Sequence, residues 1–110
     1  MKLRLEKGII KLRLTPAEID KLYVEKSLEE NLYLSKSNQF KYSINIDERL
    51  AICTTNFQQN SLQVNIPQQK AEKWINSNQI EVKETIVTDN GDTIVLTLEE
   101  DLPPRKHKKK

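Results

Sequence analysis

The sequence predicts an α+β protein, mainly antiparallel β, with about eight strands and two short helices arranged as two ββαββ pseudo-repeats. Three observations carry this expectation. Apolar and polar residues alternate with period two in most of the chain, as half-buried strands require. Turn-forming residues punctuate the alternation, most clearly Asp89-Asn90-Gly91-Asp92, where Asn-Gly between apolar runs signals a hairpin. Helical spacing appears only near residues 16–25 and 68–76.

The elements follow in order. Met1 to Leu14 alternates on both sides of Gly8, giving a first hairpin with Leu3, Leu5, Leu12 and Leu14 on one face. Thr15-Pro16-Ala17-Glu18 starts a helix: the threonine oxygen caps the first turn, Glu18 reaches back, and Pro16 stands where no helical N–H is missed. Ile19, Leu22 and Tyr23 form its apolar stripe. Leu32 and Leu34, then Phe40 to Ile46, give a second hairpin around Lys36-Ser-Asn-Gln39. Leu50 to Phe57 and Leu62 to Ile66 give a third, closed by Pro67, which cannot donate to a ladder. Ala71, Trp74 and Ile75 mark the second helix, and Ile80 to Leu98 the last hairpin.

The order ββα-ββ-ββα-ββ invites a comparison of the two halves, about 1–52 and 53–102. An offset of 52 places Leu12 on Val64, Leu14 on Ile66, Ile19 on Ala71, Leu22 on Trp74 and Ile44 on Leu96, and superposes both helices. Eight strands in such an arrangement hide their apolar face either as a curled sheet over the helices or as a closed barrel. By analogy of fold, a duplicated unit of this kind is similar to the triphosphate tunnel enzymes, whose polar barrel interior binds phosphate chains.

With 110 residues, 36% of them hydrophobic and 31% charged, the chain is sized for a single domain over 1–102. No apolar run is long enough to cross a membrane or to serve as a secretory signal, so the cytoplasm is the expected compartment. Five of the 18 basic residues lie in 105–110, leaving 13 against 16 acidic residues in the body. The tail 103–110 is expected to be disordered and basic, without the interleaved aromatics of a specific nucleic-acid site.

Lys2-Leu-Arg-Leu5, Ile10-Lys-Leu-Arg-Leu-Thr-Pro-Ala-Glu18, the Val64 to Trp74 segment and Ile94-Val-Leu-Thr-Leu-Glu-Glu-Asp101 together resemble a family of small bacterial proteins of unknown function. The resemblance spans nearly the whole folded body and implies no activity. Members continue with an aromatic residue, a cysteine and an acidic tail, where this chain has Leu102, Pro103, Pro104 and a basic run.

Familiar catalytic sets are missing from the sequence. Its one histidine, His107, lies in the tail, and Cys53 has neither a basic partner nor a second cysteine. Gly8 and Gly91 stand in turns, so there is no glycine-rich phosphate loop, and no cofactor or metal site is expected. The strand Glu81-Val-Lys83 lacks one glutamate of the tunnel-enzyme pattern. One cluster stands out as an anion-binding candidate: Lys2, Arg4, Lys11 and Arg13 share the face opposite the leucines of the first hairpin, and neighbouring cations repel. Acids such as Glu81 or Glu99 compensate them, or water screens them, or they bind an anion such as a phosphate. The leading reading is a non-enzymatic binding or assembly module, with a homodimer through sheet edges as one partner arrangement and a phosphate-ligand protein or hydrolase as the alternative.

Overall fold

The computed structural model describes residues 1–77 and 80–101; Leu102 and the basic tail, on which the expectation of disorder falls, lie outside the described residues. In chain order the elements are β1 (Lys2–Glu6), β2 (Ile9–Leu14), α1 (Pro16–Glu25), β3 (Ser27–Tyr33), β4 (Gln39–Asp47), β5 (Thr54–Gln58), β6 (Ser61–Pro67), α2 (Gln68–Asn76), β7 (Glu81–Val87) and β8 (Thr93–Glu100). Each hairpin turns where the sequence places turn residues. Gly8 adopts φ 79°, and at the matching turn of the third hairpin Gln59 and Asn60 adopt φ 52° and 61°. A two-residue loop with both residues left-handed matches the twist of the strands it joins.

The helices are set by their ends and by one buried face. Thr15 Oγ1 accepts from the Glu18 N–H at 3.2 Å, and a Glu18 carboxylate oxygen accepts from the Thr15 N–H at 2.9 Å. That reciprocal box satisfies two donors of the first turn. The helix stops at Lys26, which is left-handed and donates its N–H to the Leu22 carbonyl at 2.7 Å. Ile19 and Leu22 are buried, as are Ala71 and Trp74 of α2. Tyr23 is instead exposed, with the Lys26 ammonium 4.6 Å from its ring centre.

The strands form two four-stranded sheets, ordered β1-β2-β8-β7 and β3-β4-β6-β5. This corrects the expectation of one curled sheet or a closed barrel: neither sheet closes, and the two central ladders, β2–β8 and β4–β6, are parallel. The cause is an exchange of hairpins. The chain leaves the first sheet after β2, builds β3 to β6 in the second and returns for β7 and β8, so β1–β2 pairs with β7–β8 rather than with the hairpin that follows it. Each sheet is apolar on one face only, and the apolar faces of both join one core with residues of α1 and α2. Ile44 and Ile66 from one sheet and Leu14 and Leu96 from the other are inaccessible to solvent. A polar lumen has no place in that arrangement, because the polar faces are the outer ones.

Corresponding positions in the two sheets follow from register. Arg4 lies opposite Lys11 and Asn56 opposite Gln63, an offset of 52. Ser27 lies opposite Asn45 and Glu81 opposite Glu99, an offset of 54. The register pairs of β1–β2 and β5–β6 are thus 52 residues apart, and those of β3–β4 and β7–β8 are 54 apart. α1 meets β3 across Lys26 alone, whereas residues 77–80 separate α2 from β7. Two further strand limits differ from the alternation. Leu34 is exposed and follows β3, and β5 begins at Thr54 rather than Leu50. At the second point Asp47 ends β4 by accepting from the Arg49 N–H at 2.9 Å and pairing with its guanidinium at 3.2 Å, which turns the chain before it can extend.

Candidate functional site

The outer face of the first sheet carries the four cations singled out by the sequence. Cross-strand register arranges that face in rows: Lys2, Arg13, Glu99 and Glu81 form one, and Arg4, Lys11, Thr97 and Lys83 the next. The cations of the first row are compensated. The Arg13 Nε donates to Glu99 at 2.7 Å, and Lys2 lies 3.5 Å from Asp101. That hydrogen bond and the charge of Glu99 raise the Arg13 pKa further. In the second row Arg4 pairs with Glu6 at 2.6 Å, while Lys11 and Lys83 have no ion pair among the described residues. The face is open, so the four cations line no channel.

The corresponding face of the second sheet is built from amides and hydroxyls. Ser27 donates to Asn45 at 2.8 Å, Asn45 to Asn65 at 3.2 Å and Asn65 to Thr54 at 3.3 Å, a chain of hydrogen bonds crossing all four strands. Asn56 donates to Gln63 at 3.4 Å in the next row. This chemistry has a sequence signal unrelated to any catalytic set: Leu50 to Gln69 contains no Asp, Glu, Lys or Arg, in a chain that is 31% charged. The run covers β5, β6 and their turn.

The four outermost strands are not alike. β1 reads Lys-Leu-Arg-Leu-Glu, and charges of this kind guard an edge against pairing with another strand. β5 reads Thr-Thr-Asn-Phe-Gln, with no charge and no proline. Because Gln58 and Ser61 flank a two-residue turn, they form a hydrogen-bonded pair, and so do Asn56–Gln63 and Thr54–Asn65 at every second position. Thr55 and Phe57 consequently direct their backbone N–H and C=O toward the open edge. A groove of about 700 Å³ runs beside that edge, between β5 and β7, with Ile52, Phe57, Ile86 and Val87 in its lining. Phe57 is 62% and Val87 67% exposed.

Cys53 lies in the same groove, just before β5. Burial, reinforced by Glu84, pushes its thiol up to about 11, so at neutral pH it is protonated and a poor nucleophile. Lys70 and Glu84 close the neighbouring wall with an ion pair at 3.2 Å. Among the described residues no cluster of three or more His, Cys, Asp or Glu is placed to hold a metal ion, and no helix is long and apolar enough to cross a membrane.

Residues 1–108 match the family of unknown function DUF7009. The chain belongs to that family. No curated protein and no solved structure matches it. A DUF7009 chain thus has to be interpreted from its own surfaces, and among the described residues the uncharged β5 edge and the second cation row are the two taken up below. The candidate set Lys2, Arg4, Lys11 and Arg13 divides between two rows of DUF7009 side chains, and the residues completing the second row, Lys83 and Thr97, come from the opposite end of the sequence.

Proposed function

We propose that this protein is an assembly module that pairs with a second copy of itself through β5, joining the two sheets edge to edge. The carrying observation is the asymmetry of the outermost strands: β1 bears charges, and β5 bears none. In this reading the chain consists of two ββαββ units, about 1–52 and 53–102, which share a strand plan but differ in edge chemistry.

The register of the pairing follows from parity. Thr55 and Phe57 are the residues whose backbone groups face outward, and an antiparallel dyad at Asn56 sets each Thr55 against Phe57 of the second copy. Side chains then meet without conflict. Thr54 faces Gln58 and Asn56 faces its own copy, which extends the amide network of the outer face across the dyad, and no like charges are opposed. The added strand lies along the groove between β5 and β7 and covers part of Phe57 and Val87. An unrelated extended peptide would use the same backbone groups, but only a second copy brings a matching uncharged edge by symmetry.

A contact of one strand is small, so the dimer is expected to be concentration dependent. Sedimentation equilibrium from about 10 µM to about 1 mM is expected to show the mass rising from 12.9 kDa toward twice that value. Thr55→Pro removes an N–H that faces the open edge and spares the β5–β6 ladder, so the variant is expected to stay folded and monomeric. A wild type that remains monomeric throughout, or a folded Thr55→Pro variant that still dimerises, overturns the proposal. A dimer that survives Thr55→Pro but is lost with a charge placed on β7 would put the contact on the other edge.

A further inference from the structure

We infer that the row formed by Arg4, Lys11, Thr97 and Lys83 on the outer face of the first sheet is a binding site for a phosphate group, free or as a phosphomonoester. It lies on the outer face of the first sheet, whereas the proposed dimer pairs through the β5 edge of the second, and a different observation carries it. Thr97 is 3% exposed although it belongs to the outer face, and its hydroxyl has no hydrogen-bond partner among the described residues. A buried hydroxyl in that state lacks the compensation that such groups ordinarily find. It lines a depression of about 320 Å³ together with Arg4, Lys11, Lys83 and two acids, Glu6 and Glu81.

Register fixes the order across four strands: Arg4 on β1, Lys11 on β2, Thr97 on β8 and Lys83 on β7. Neighbouring strands are about 4.8 Å apart, so the two lysines flank the threonine at a spacing that a tetrahedral oxyanion can bridge. Neither lysine has an ion pair among the described residues. Arg4 is held by Glu6, but both partners are well exposed, and a surface pair of this kind is cheap to exchange for a phosphate oxygen. The two acids limit the net positive charge of the lining to one, which favours a single phosphate over a long polyanion. Lys2 and Arg13 stay outside the site because Asp101 and Glu99 occupy them.

The other sheet shows that the strand pattern does not demand this set. The corresponding row is Asn56, Gln63, Ser43 and Glu29. There the buried hydroxyl of Ser43 accepts from Asn45 at 3.4 Å, and there is no cation in the row. The cationic row and the unsatisfied threonine occur together on one sheet and are both lacking on the other.

The test is titration of ¹⁵N-labelled protein with inorganic phosphate and, separately, with O-phosphoserine, at constant ionic strength set by chloride. Saturable amide shifts at residues 4, 11, 83 and 97 with either probe are expected, and the tighter of the two identifies the source. Thr97→Val keeps the shape and removes the hydroxyl, and is expected to weaken binding by about tenfold. Lys11→Gln with Lys83→Gln is expected to abolish it, with an unchanged amide spectrum elsewhere showing that the fold persists. Absence of saturation with both probes, or binding unaltered by the double variant, overturns the inference.

Discussion

Arg13 and Glu99 bridge the parallel β2–β8 ladder by a 2.7 Å charged hydrogen bond, and Asn65 and Asn45 occupy the corresponding positions of the β4–β6 ladder with a 3.2 Å amide contact. One strand plan has thus been supplied with two chemistries at the same junction. The ion pair is partly solvated and therefore screened by salt, whereas the amide pair is not.

This difference predicts opposite salt responses. A double-mutant cycle on Arg13→Asn and Glu99→Asn is expected to give a coupling that stabilises the fold at low salt and shrinks at high salt. The equivalent cycle on Asn65→Ala and Asn45→Ala should be indifferent to salt. Urea denaturation at two ionic strengths measures both.

Core substitutions should separate the two sides of each strand. Leu22, on the inner face of α1, is fully buried, and Leu22→Ala is expected to cost about 2–5 kcal/mol. Leu5, more than half exposed at the β1 edge, should cost under about 1 kcal/mol on the same change. Thr15→Ala, which removes the cap of α1, should cost about 1 kcal/mol. Denaturant midpoints rank the three.

Stability is expected to fall in acid partly through Glu18. Burial alone would raise the pKa of this carboxyl, but hydrogen bonds from the Met1 α-ammonium and from Thr15 outweigh it and hold the pKa below the ordinary value. A depressed carboxylate pKa contributes stability above the unfolded value, and that contribution is lost as pH falls through the folded one. Glu18→Gln should therefore flatten the decline of stability below about pH 4.5, read by thermal unfolding across pH.

The Cys53 thiol should react slowly with a disulfide reagent at neutral pH and rapidly once the protein is unfolded. Its thiolate appears near pH 11 in the folded state. Fast labelling of the folded protein at neutral pH would contradict the burial and polarity described for the groove.

Local structure was legible in the sequence because local chemistry determines it. The capping box at Thr15 and Glu18, the turn at Gly8 and the span of α2 at residues 68–76 all follow from neighbours within a few positions. The pairing of hairpins was not legible. Alternation tells which face of a strand is apolar but is blind to its neighbour, so the parallel contact of Leu12 with Leu98 has no counterpart in spacing. The cation row illustrates the same limit: Arg4 and Lys11 are visible as hairpin partners, while Lys83 and Thr97 join them only through tertiary register.

The exchange of hairpins also governs when the protein can fold. Ile9 finds its ladder partner at Val95, so the first sheet has no centre until ribosomes have synthesised residues 93–100. The second sheet, by contrast, is assembled from the continuous stretch 27–67. During translation the β1–β2 hairpin must therefore wait with its leucines uncovered, and Lys11 and Arg13 on β2, the strand that later takes β8, keep that waiting edge from recruiting the wrong strand.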